Sequence, residues 1–124
     1  MGTDGTAEIR VFVADDEYHI CEGLKESLLK SSYKVDVAYD GNEAARLLDE
    51  QVYHAAIFDL KMPGKDGLSL LRQVKEKSPD TGVIIITAFS EVSTAVDAMR
   101  MGAYDYIAKP VDLKRLNLSL KHLL

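Results

Sequence analysis

The chain has 124 residues, of which 47% are hydrophobic and 28% charged, and this size and composition predict one soluble globular domain. Its 20 acidic and 15 basic residues give a formal net charge of −5, which argues against direct binding to nucleic acid, because phosphate contacts need clustered cations. No apolar run approaches the roughly 18 residues of a membrane span, no leader precedes the first predicted strand, and the single cysteine, Cys21, cannot form an internal disulfide. We therefore expect a protein without membrane contact in a reducing, cytoplasmic setting.

The first part of the chain predicts a disordered start, a strand, a helix and a second strand. Residues 1–8 are mostly small and polar, and we expect a disordered or non-native segment in front of a domain that spans residues 9–124. The apolar run 9–14 predicts a buried strand. A helix follows, and the alternating run 34–38 predicts a second strand. The apolar positions of this helix, four residues apart, are Ile20, Leu24 and Leu28.

The middle of the chain predicts a helix and then the strand that leads to the most informative carboxylate. A turn begins at Asp40, and we predict Asn42 to be the N-cap of the following helix. The short apolar run 55–58 predicts a buried strand, and Asp59 stands at its carboxyl end before a Pro63–Gly64 turn. The residues predicted to face inward from the helix are Ala44, Ala45, Leu47 and Leu48.

The last part of the chain predicts three helices and two strands. A helix opens at Asp66–Gly67 and ends before Ser78–Pro79, because the residue before a proline avoids helical angles. Residues 82–87 are rich in β-branched side chains without alternation, which is typical of a strand covered on both faces. A loop at 88–90, a helix closed by Gly102, a strand at 104–108 and a final helix complete the chain. The apolar positions predicted to face inward from these helices are Leu68, Leu71 and Val74, then Val92, Ala95, Val96 and Met99, and last Leu113, Leu116 and Leu120.

The alternation of five strands with five helices predicts an α/β fold, with a doubly wound parallel sheet covered by helices on both faces. Ligand chemistry in such sheets lies at the carboxyl ends of the strands, near a reversal in strand order. The polar residues at the predicted strand ends are Asp15, Asp16, Asp59, Thr87 and Lys109. Three carboxylates in one crevice repel one another, and a hard divalent cation such as Mg²⁺ relieves the repulsion. The sequence therefore predicts a Mg²⁺ site with an ammonium and a hydroxyl beside it.

Four motifs at these strand ends resemble the receiver domain of bacterial two-component response regulators. They are Val13-Ala-Asp-Asp-Glu17, Phe58-Asp-Leu-Lys-Met-Pro-Gly-Lys-Asp-Gly67, Ile86-Thr-Ala88 and Tyr106-Ile-Ala-Lys-Pro110. The resemblance extends from about residue 9 to residue 120. It implies a flavodoxin-like five-stranded sheet with strand order 2-1-3-4-5, and a cis peptide bond between Lys109 and Pro110.

The resemblance also implies roles for individual residues. Asp59 is the expected phosphoacceptor, which takes a phosphoryl group from a phosphohistidine of a sensor histidine kinase. The expected ligands of Mg²⁺ are Asp15, Asp16, Asp59 and the backbone carbonyl of Lys61. No residue of the family's set is missing, so we expect a phosphoacceptor signalling domain and not an enzyme, with Mg²⁺-dependent self-phosphorylation from small donors and autodephosphorylation.

By the same resemblance, Thr87 and Lys109 bind the phosphoryl group, while Thr87 and Tyr106 switch the domain between an inactive and an active conformer. The face that responds is the fourth helix, fifth strand and fifth helix, through which family members often form homodimers. Lys61 and Phe89 are expected to set the lifetime of the phosphate. We expect slow autodephosphorylation, because Phe89 shields the phosphoryl group and Lys61 offers no carboxamide to orient water.

The segment 98–110 looks most like the receivers of enhancer-binding transcription activators, so the expected partner of this domain is a covalently linked activator module. A stand-alone receiver that docks a partner is the alternative within the family. Two other classes are less compatible with the residues. A hydrolase with an aspartyl-phosphate intermediate needs a carboxylate where Lys61 stands, and a flavodoxin-like nucleotide carrier needs a Ser/Thr-rich phosphate loop after the first strand.

Overall fold

A computed structural model of the chain describes residues 8–88 and 92–124. Strands and helices alternate throughout these ranges, as the sequence predicts. The elements are β1 (Arg10–Ala14), α1 (Tyr18–Lys30), β2 (Lys34–Ala38), α2 (Gly41–Glu50), β3 (Ala55–Asp59), α3 (Gly67–Lys77), β4 (Gly82–Thr87), α4 (Val92–Arg100), β5 (Asp105–Ala108) and α5 (Leu113–Leu123). The predicted bounds of the strands are correct to within one residue.

The five strands form one parallel sheet in the order β2-β1-β3-β4-β5, which confirms the predicted topology. The register aligns the strand ends, because Ala14 lies opposite both Ala38 and Phe58, and Thr87 lies opposite Ala108. The strand order reverses between β1 and β3, so the residues that follow these two strands lie side by side at the carboxyl edge of the sheet.

The sheet is covered on both faces by helices, and successive residues of each strand alternate between two hydrophobic cores. Phe12, Phe58 and Ile85 belong to one core, which α2, α3 and α4 cover. Val13 and Ile57 belong to the other, which α1 and α5 cover. Burial on both faces explains why β3 and β4 carry continuous apolar runs without alternation.

Three details of α2, α3 and α4 differ from the sequence predictions. The N-cap of α2 is Asp40, whose carboxylate accepts a hydrogen bond from Glu43 N at 2.8 Å, so the prediction of Asn42 was wrong by two residues. Leu47 in α2 and Leu68 in α3 are only half-buried. In α4 the buried residues among the side chains that the structure describes are Ala95 and Ala98. The side chain of Val92, also predicted to face inward, lies outside that description. The two α4 residues that are exposed, contrary to the prediction, are Val96 and Met99, at 40% and 38%.

Helices α1 and α5 follow the predictions more closely. Leu24, Leu28, Leu116 and Leu120 are buried and Ile20 is half-buried. Leu113, at the start of α5, is 41% exposed, so the prediction that it faces inward was wrong. Gly102 has φ +107° just after α4, which agrees with its prediction as the residue that ends this helix. The Lys109–Pro110 peptide bond is cis, as the resemblance implied.

Gly41 allows the β3–α3 loop to lie directly against the start of α2. Its N–H donates to the Pro63 carbonyl at 2.9 Å, and a Cβ added at Gly41 would lie 1.7 Å from the carbonyl oxygen of Lys65. We expect Gly41→Ala to lower the free energy of unfolding by about 1–3 kcal/mol, because backbone must move to accommodate the methyl group. Urea unfolding measures the change.

Gly23→Ala is the matched control for this prediction. Gly23 lies within α1, and a Cβ there meets no atom within 4 Å among the described residues. Its replacement by alanine is expected to stabilise the helix by about 0.5–1 kcal/mol. Equal effects of the two substitutions would contradict the assignment of Gly41 as a point of close backbone contact.

Candidate functional site

Backbone hydrogen bonds beyond the strands fix the residues at the carboxyl edge of the sheet. The Asp15 N–H donates to the Ala38 carbonyl at 3.2 Å and the Lys109 N–H donates to the Thr87 carbonyl at 2.7 Å. Each bond extends a strand pairing by one residue. The Glu17 N–H donates to Asp15 Oδ1 at 2.8 Å, which holds the turn between β1 and α1. The side chains at this edge are therefore attached to well-defined backbone.

Four carboxylates form a cluster at this edge. Asp15, Asp16, Glu17 and Asp59 each have a carboxylate oxygen within 4.8 Å of those of the others. Asp15 is completely buried and Asp59 is 6% exposed, while Asp16 and Glu17 are exposed at the rim. An open cleft of ≈ 350 Å³ borders Asp16, Glu17 and Asp59, so solvent and small solutes reach the cluster.

Lys109 provides the cation of this cluster. Its Nζ lies 2.9 Å from Glu17 Oε1, 3.0 Å from Asp15 Oδ2 and 3.1 Å from Asp59 Oδ2. The Lys109 side chain is only 15% exposed, so these contacts are less screened by solvent than an ordinary surface ion pair. One ammonium thus faces four nearby carboxylates, and the cluster retains an excess of negative charge.

This excess appears in the pKa values of the buried carboxyl groups. Burial raises the pKa of Asp15 to about 6, and the neighbouring charge of Asp59 contributes in the same direction. Burial also raises the pKa of Asp59, although Lys109 partly offsets the shift. For Lys109, burial alone would lower the pKa, but the bonds to Glu17, Asp15 and Asp59 outweigh this effect and raise it. A further positive charge beside these carboxylates would therefore stabilise their ionised forms.

The cluster fits a hard divalent cation. Within the part of the chain that the structure describes, no hydrogen-bond donor is aligned with Asp15 Oδ2, which is buried and contacts Lys109 only as an ion pair. Buried oxygens without a hydrogen bond are uncommon and require an explanation, for which a bound ion is one. Carboxylate oxygens with room for water are the donors that Mg²⁺ prefers. The acidic cluster could accordingly hold a metal ion.

Asp15 and Asp16 do not cap α1, although acidic residues before a helix commonly act as N-caps. The N-cap of α1 is Glu17, and its side chain makes no capping hydrogen bond. Asp15 Oδ1 accepts from the N-cap residue itself, and Asp16 is exposed towards the cleft. Asp15, Asp16, Asp59 and Lys109 therefore meet where the sequence predicted them to meet.

Thr87 and Tyr106 lie beside this cluster without joining it. Thr87 is completely buried at the end of β4, and its hydroxyl donates to the Ala88 carbonyl at 3.1 Å. Since a hydroxyl has one hydrogen to donate, it is not donating to a carboxylate in this conformation. Tyr106 is half-buried and packs against the core under α2, α3 and α4. Thr87 is the last residue of β4, and Tyr106 lies on β5, the strand that Lys109 follows.

Of the two residues predicted to set the lifetime of the phosphate, the structure describes Lys61 but not Phe89. The Lys61 N–H donates to Asp59 Oδ1 at 3.4 Å, which places Lys61 directly beside the carboxylate of Asp59. Phe89 lies outside the described residues.

Glu17 is the member of the cluster that the sequence reasoning missed. It belongs to the quoted Asp15-Asp16-Glu17 run, but no role was predicted for it. Glu17 is the third of three consecutive acidic residues after a predicted strand, and this run was the available signal. The structure gives it the shortest of the three contacts to Lys109.

Comparison with known proteins points to one family. A family model described as the response regulator receiver domain matches residues 11–121. The transcriptional regulatory protein ZraR of Salmonella typhimurium is 37% identical over 114 residues, which cover 92% of this chain and 26% of ZraR. The regulatory protein AtoC of Escherichia coli is 34% identical over 119 residues, which cover 96% of this chain and 26% of AtoC. The chain spans about a quarter of the length of these relatives.

Solved structures agree with the sequence comparison. A response regulator receiver domain protein of Clostridium thermocellum superposes with a TM-score of 0.87 at 31% identity, and the match covers 93% of both chains. No helix in the ranges 8–88 and 92–124 is long and apolar enough to cross a membrane.

Proposed function

The chain belongs to the family of response regulator receiver domains, and we propose that it accepts a phosphoryl group on Asp59 from a sensor histidine kinase. The observation that carries this proposal is the position of Asp59 Oδ2, 3.1 Å from Lys109 Nζ and within an acidic cluster that borders an open cleft. A carboxylate there is accessible to a donor, and the ammonium beside it can neutralise the oxygens of an arriving phosphoryl group.

In the transfer, an ionised oxygen of Asp59 attacks phosphorus in line with the P–N bond of the donor phosphohistidine. A P–O bond forms and the P–N bond breaks, with its electron pair left on the imidazole. A donor ring protonated at its other nitrogen leaves as neutral imidazole. Lys109 then pairs with the oxygens of the new acyl phosphate. With acetyl phosphate as donor, acetate leaves instead.

Mg²⁺ is the proposed cofactor, and Asp15, Asp16, Asp59 and the carbonyl of Lys61 are the residues that would hold it. When bound, it supplies positive charge to the phosphoryl oxygens. The residues themselves orient the site, since Asp15 is buried and fixed by the N–H of Glu17 while Asp16 and Asp59 border the cleft. The buried Asp15 Oδ2 without an aligned donor supports this assignment.

Phosphorylation is proposed to shift an equilibrium between two conformers through Thr87 and Tyr106. In the structure the Thr87 hydroxyl donates to Ala88, so it must turn away from that carbonyl to reach a phosphoryl oxygen. The space it leaves is proposed to admit the ring of Tyr106. A phosphoryl group shifts the population only if it binds the active conformer more tightly than the inactive one.

The signal is proposed to pass through the face of α4, β5 and α5 to a covalently linked output domain. The transcriptional regulatory protein ZraR and the regulatory protein AtoC, which are about four times as long as this chain, support a transcription activator as the output. Apolar side chains exposed on this face, which suit a homodimer contact, are Val96, Met99, Tyr104 and Leu118. We place the protein in the cytoplasm, with the receiver in residues 9–124 behind an N-terminal segment 1–8.

The domain is proposed to be a phosphoacceptor that turns over only its own acyl phosphate. Lys61 lies beside Asp59. It offers no carboxamide to orient water, which supports slow autodephosphorylation, and no carboxylate for acid–base catalysis, which disfavours a hydrolase. Shielding of the phosphate by Phe89 remains a proposal from the sequence. Faster decay of the acyl phosphate in Phe89→Ala than in the wild type is the expected result.

Incubation with acetyl phosphate and Mg²⁺, followed by intact mass spectrometry, tests the proposed function. We expect one phosphoryl adduct per chain, which peptide mapping after borohydride reduction places on Asp59. Removal of Mg²⁺ with EDTA is expected to lower the rate on the order of a hundredfold or more, because the excess negative charge of the cluster then repels the donor. A folded protein that gains no adduct would refute the proposal, and continuous release of phosphate without an adduct would indicate a hydrolase.

A further inference from the structure

The ammonium of Lys109 is held in part by Glu17, 92 residues away in the chain. This contact, at 2.9 Å, is the shortest of the three that Lys109 Nζ makes to carboxylates. The three partners differ in exposure. The side chain of Glu17 is 61% exposed, whereas those of Asp15 and Asp59 are 0% and 8% exposed. Among the partners of Lys109 in the described ranges, Glu17 is thus the one that water can solvate freely.

The backbone of Glu17 is fixed while its side chain remains available. Its N–H donates to Asp15 Oδ1, and its carbonyl accepts from the N–H groups of Ile20 and Cys21 in the first turn of α1. The Glu17 carboxylate makes no capping hydrogen bond to that helix. It is therefore directed by the start of α1 towards Lys109 and is not committed to the helix.

A lysine ammonium has three N–H donors, and three carboxylate oxygens already lie within 3.1 Å of Lys109 Nζ. Lys109 Nζ donates hydrogen bonds to Glu17 and Asp59 and forms an ion pair with Asp15, so a phosphoryl oxygen that approaches it competes with these three partners. Asp15 is buried, so releasing it leaves a charge without solvent. Asp59 carries the phosphoryl group itself. Glu17 can move into water, and its departure therefore costs least.

We propose that Glu17 is a positioning residue that occupies Lys109 in the unphosphorylated protein and has to be displaced when the phosphoryl group arrives. This inference rests on the proposed function. The Glu17 contact orients the ammonium towards the rim of the cleft before phosphorylation, and competes with the phosphoryl oxygens for it afterwards. Glu17 thus sets how tightly the site holds a phosphoryl group, without touching that group.

Two measurements on Glu17→Gln test the proposal. Beryllofluoride serves as the phosphoryl mimic and is titrated at a Mg²⁺ concentration that saturates each variant, because Glu17 also belongs to the acidic cluster. We expect Glu17→Gln to bind it more tightly than the wild type, by on the order of two- to fivefold, since one competing partner of Lys109 is gone. Glu26→Gln is the matched control. It removes the same charge from α1, where Glu26 pairs with Lys30 at the surface, and its affinity is expected to be unchanged.

The second measurement is a double-mutant cycle in urea unfolding with Glu17→Gln and Lys109→Met, without the mimic. The two losses of stability are expected to be non-additive, as they are for residues in direct contact. Additive losses, or an affinity for beryllofluoride that is equal to or lower than that of the wild type, would overturn the role of Glu17. If the wild type binds no beryllofluoride and accepts no phosphate, the proposed function itself fails.

Discussion

Asp59→Asn is expected to abolish uptake of a phosphoryl group from acetyl phosphate in the presence of Mg²⁺. The amide oxygen is a poor nucleophile and carries no formal charge, so no acyl phosphate can form at this position. The shape of the side chain is retained, and Asp59 is only 6% exposed, so the amide occupies the same space. Intact mass spectrometry over the time in which the wild type is fully modified measures the effect.

The stability of Asp59→Asn in urea shows whether a loss of phosphorylation is due to the missing nucleophile or to unfolding. Burial raises the pKa of Asp59, which means that its ionised form is disfavoured in the folded protein. Without metal, Asp59→Asn is therefore expected to unfold at the same or a higher urea concentration than the wild type. A variant that is less stable and unmodified would leave unfolding as the cause, and Asp59→Glu then supplies a charged replacement for comparison.

Asp66→Asn is the matched control for Asp59→Asn. Asp66 lies in the same β3–α3 segment, and its carboxylate caps α3 by accepting from Ser69 N at 2.9 Å. Asparagine caps helices about as well as aspartate, so the fold and the rate of modification should both be retained. An adduct that persists in Asp59→Asn would contradict the assignment of the acceptor, and peptide mapping would identify the residue that carries it.

The sheet and the meeting of its strand ends could be predicted from sequence because both depend on strong local signals. Buried parallel strands need continuous apolar runs, and β3 and β4 have them. The alternation of elements then brings the residues after β1, β3 and β5 to one edge. Asp15, Asp59 and Lys109 could be placed there without any knowledge of their side-chain contacts.

Features that depend on distances between side chains could not be predicted in this way. Val96 and Met99 fit the apolar periodicity of α4, but the small residues Ala95 and Ala98 lie against the sheet and leave both exposed. The hydroxyl of Thr87 turns towards Ala88, which periodicity cannot indicate. Glu17 contacts Lys109 at 2.9 Å although the two residues are 92 positions apart in the chain, so this contact follows from tertiary packing and not from the acidic run itself.

Lys109→Met is expected to change two properties of the site in opposite directions. The rate of phosphorylation by acetyl phosphate should fall by on the order of 10²- to 10³-fold, because the ammonium no longer neutralises the phosphoryl oxygens. The affinity for Mg²⁺ should rise, by about tenfold, because Lys109 Nζ lies within 3.1 Å of three carboxylates and repels a second cation. Methionine keeps an unbranched side chain and removes the charge together with the three N–H donors of the ammonium.

The opposite signs are what make Lys109→Met informative. A partly unfolded domain would lose both phosphorylation and Mg²⁺ affinity, so weaker Mg²⁺ binding would contradict the role of Lys109 as a cation that shares the cluster with the metal. Lys114→Ala is the control, because Lys114 is exposed on α5 and lies outside the contacts of the cluster. If both substitutions alter Mg²⁺ affinity equally, the effect arises from the net charge of the domain. The 3.0 Å contact between Lys109 and the buried Asp15 would then not contribute to it measurably.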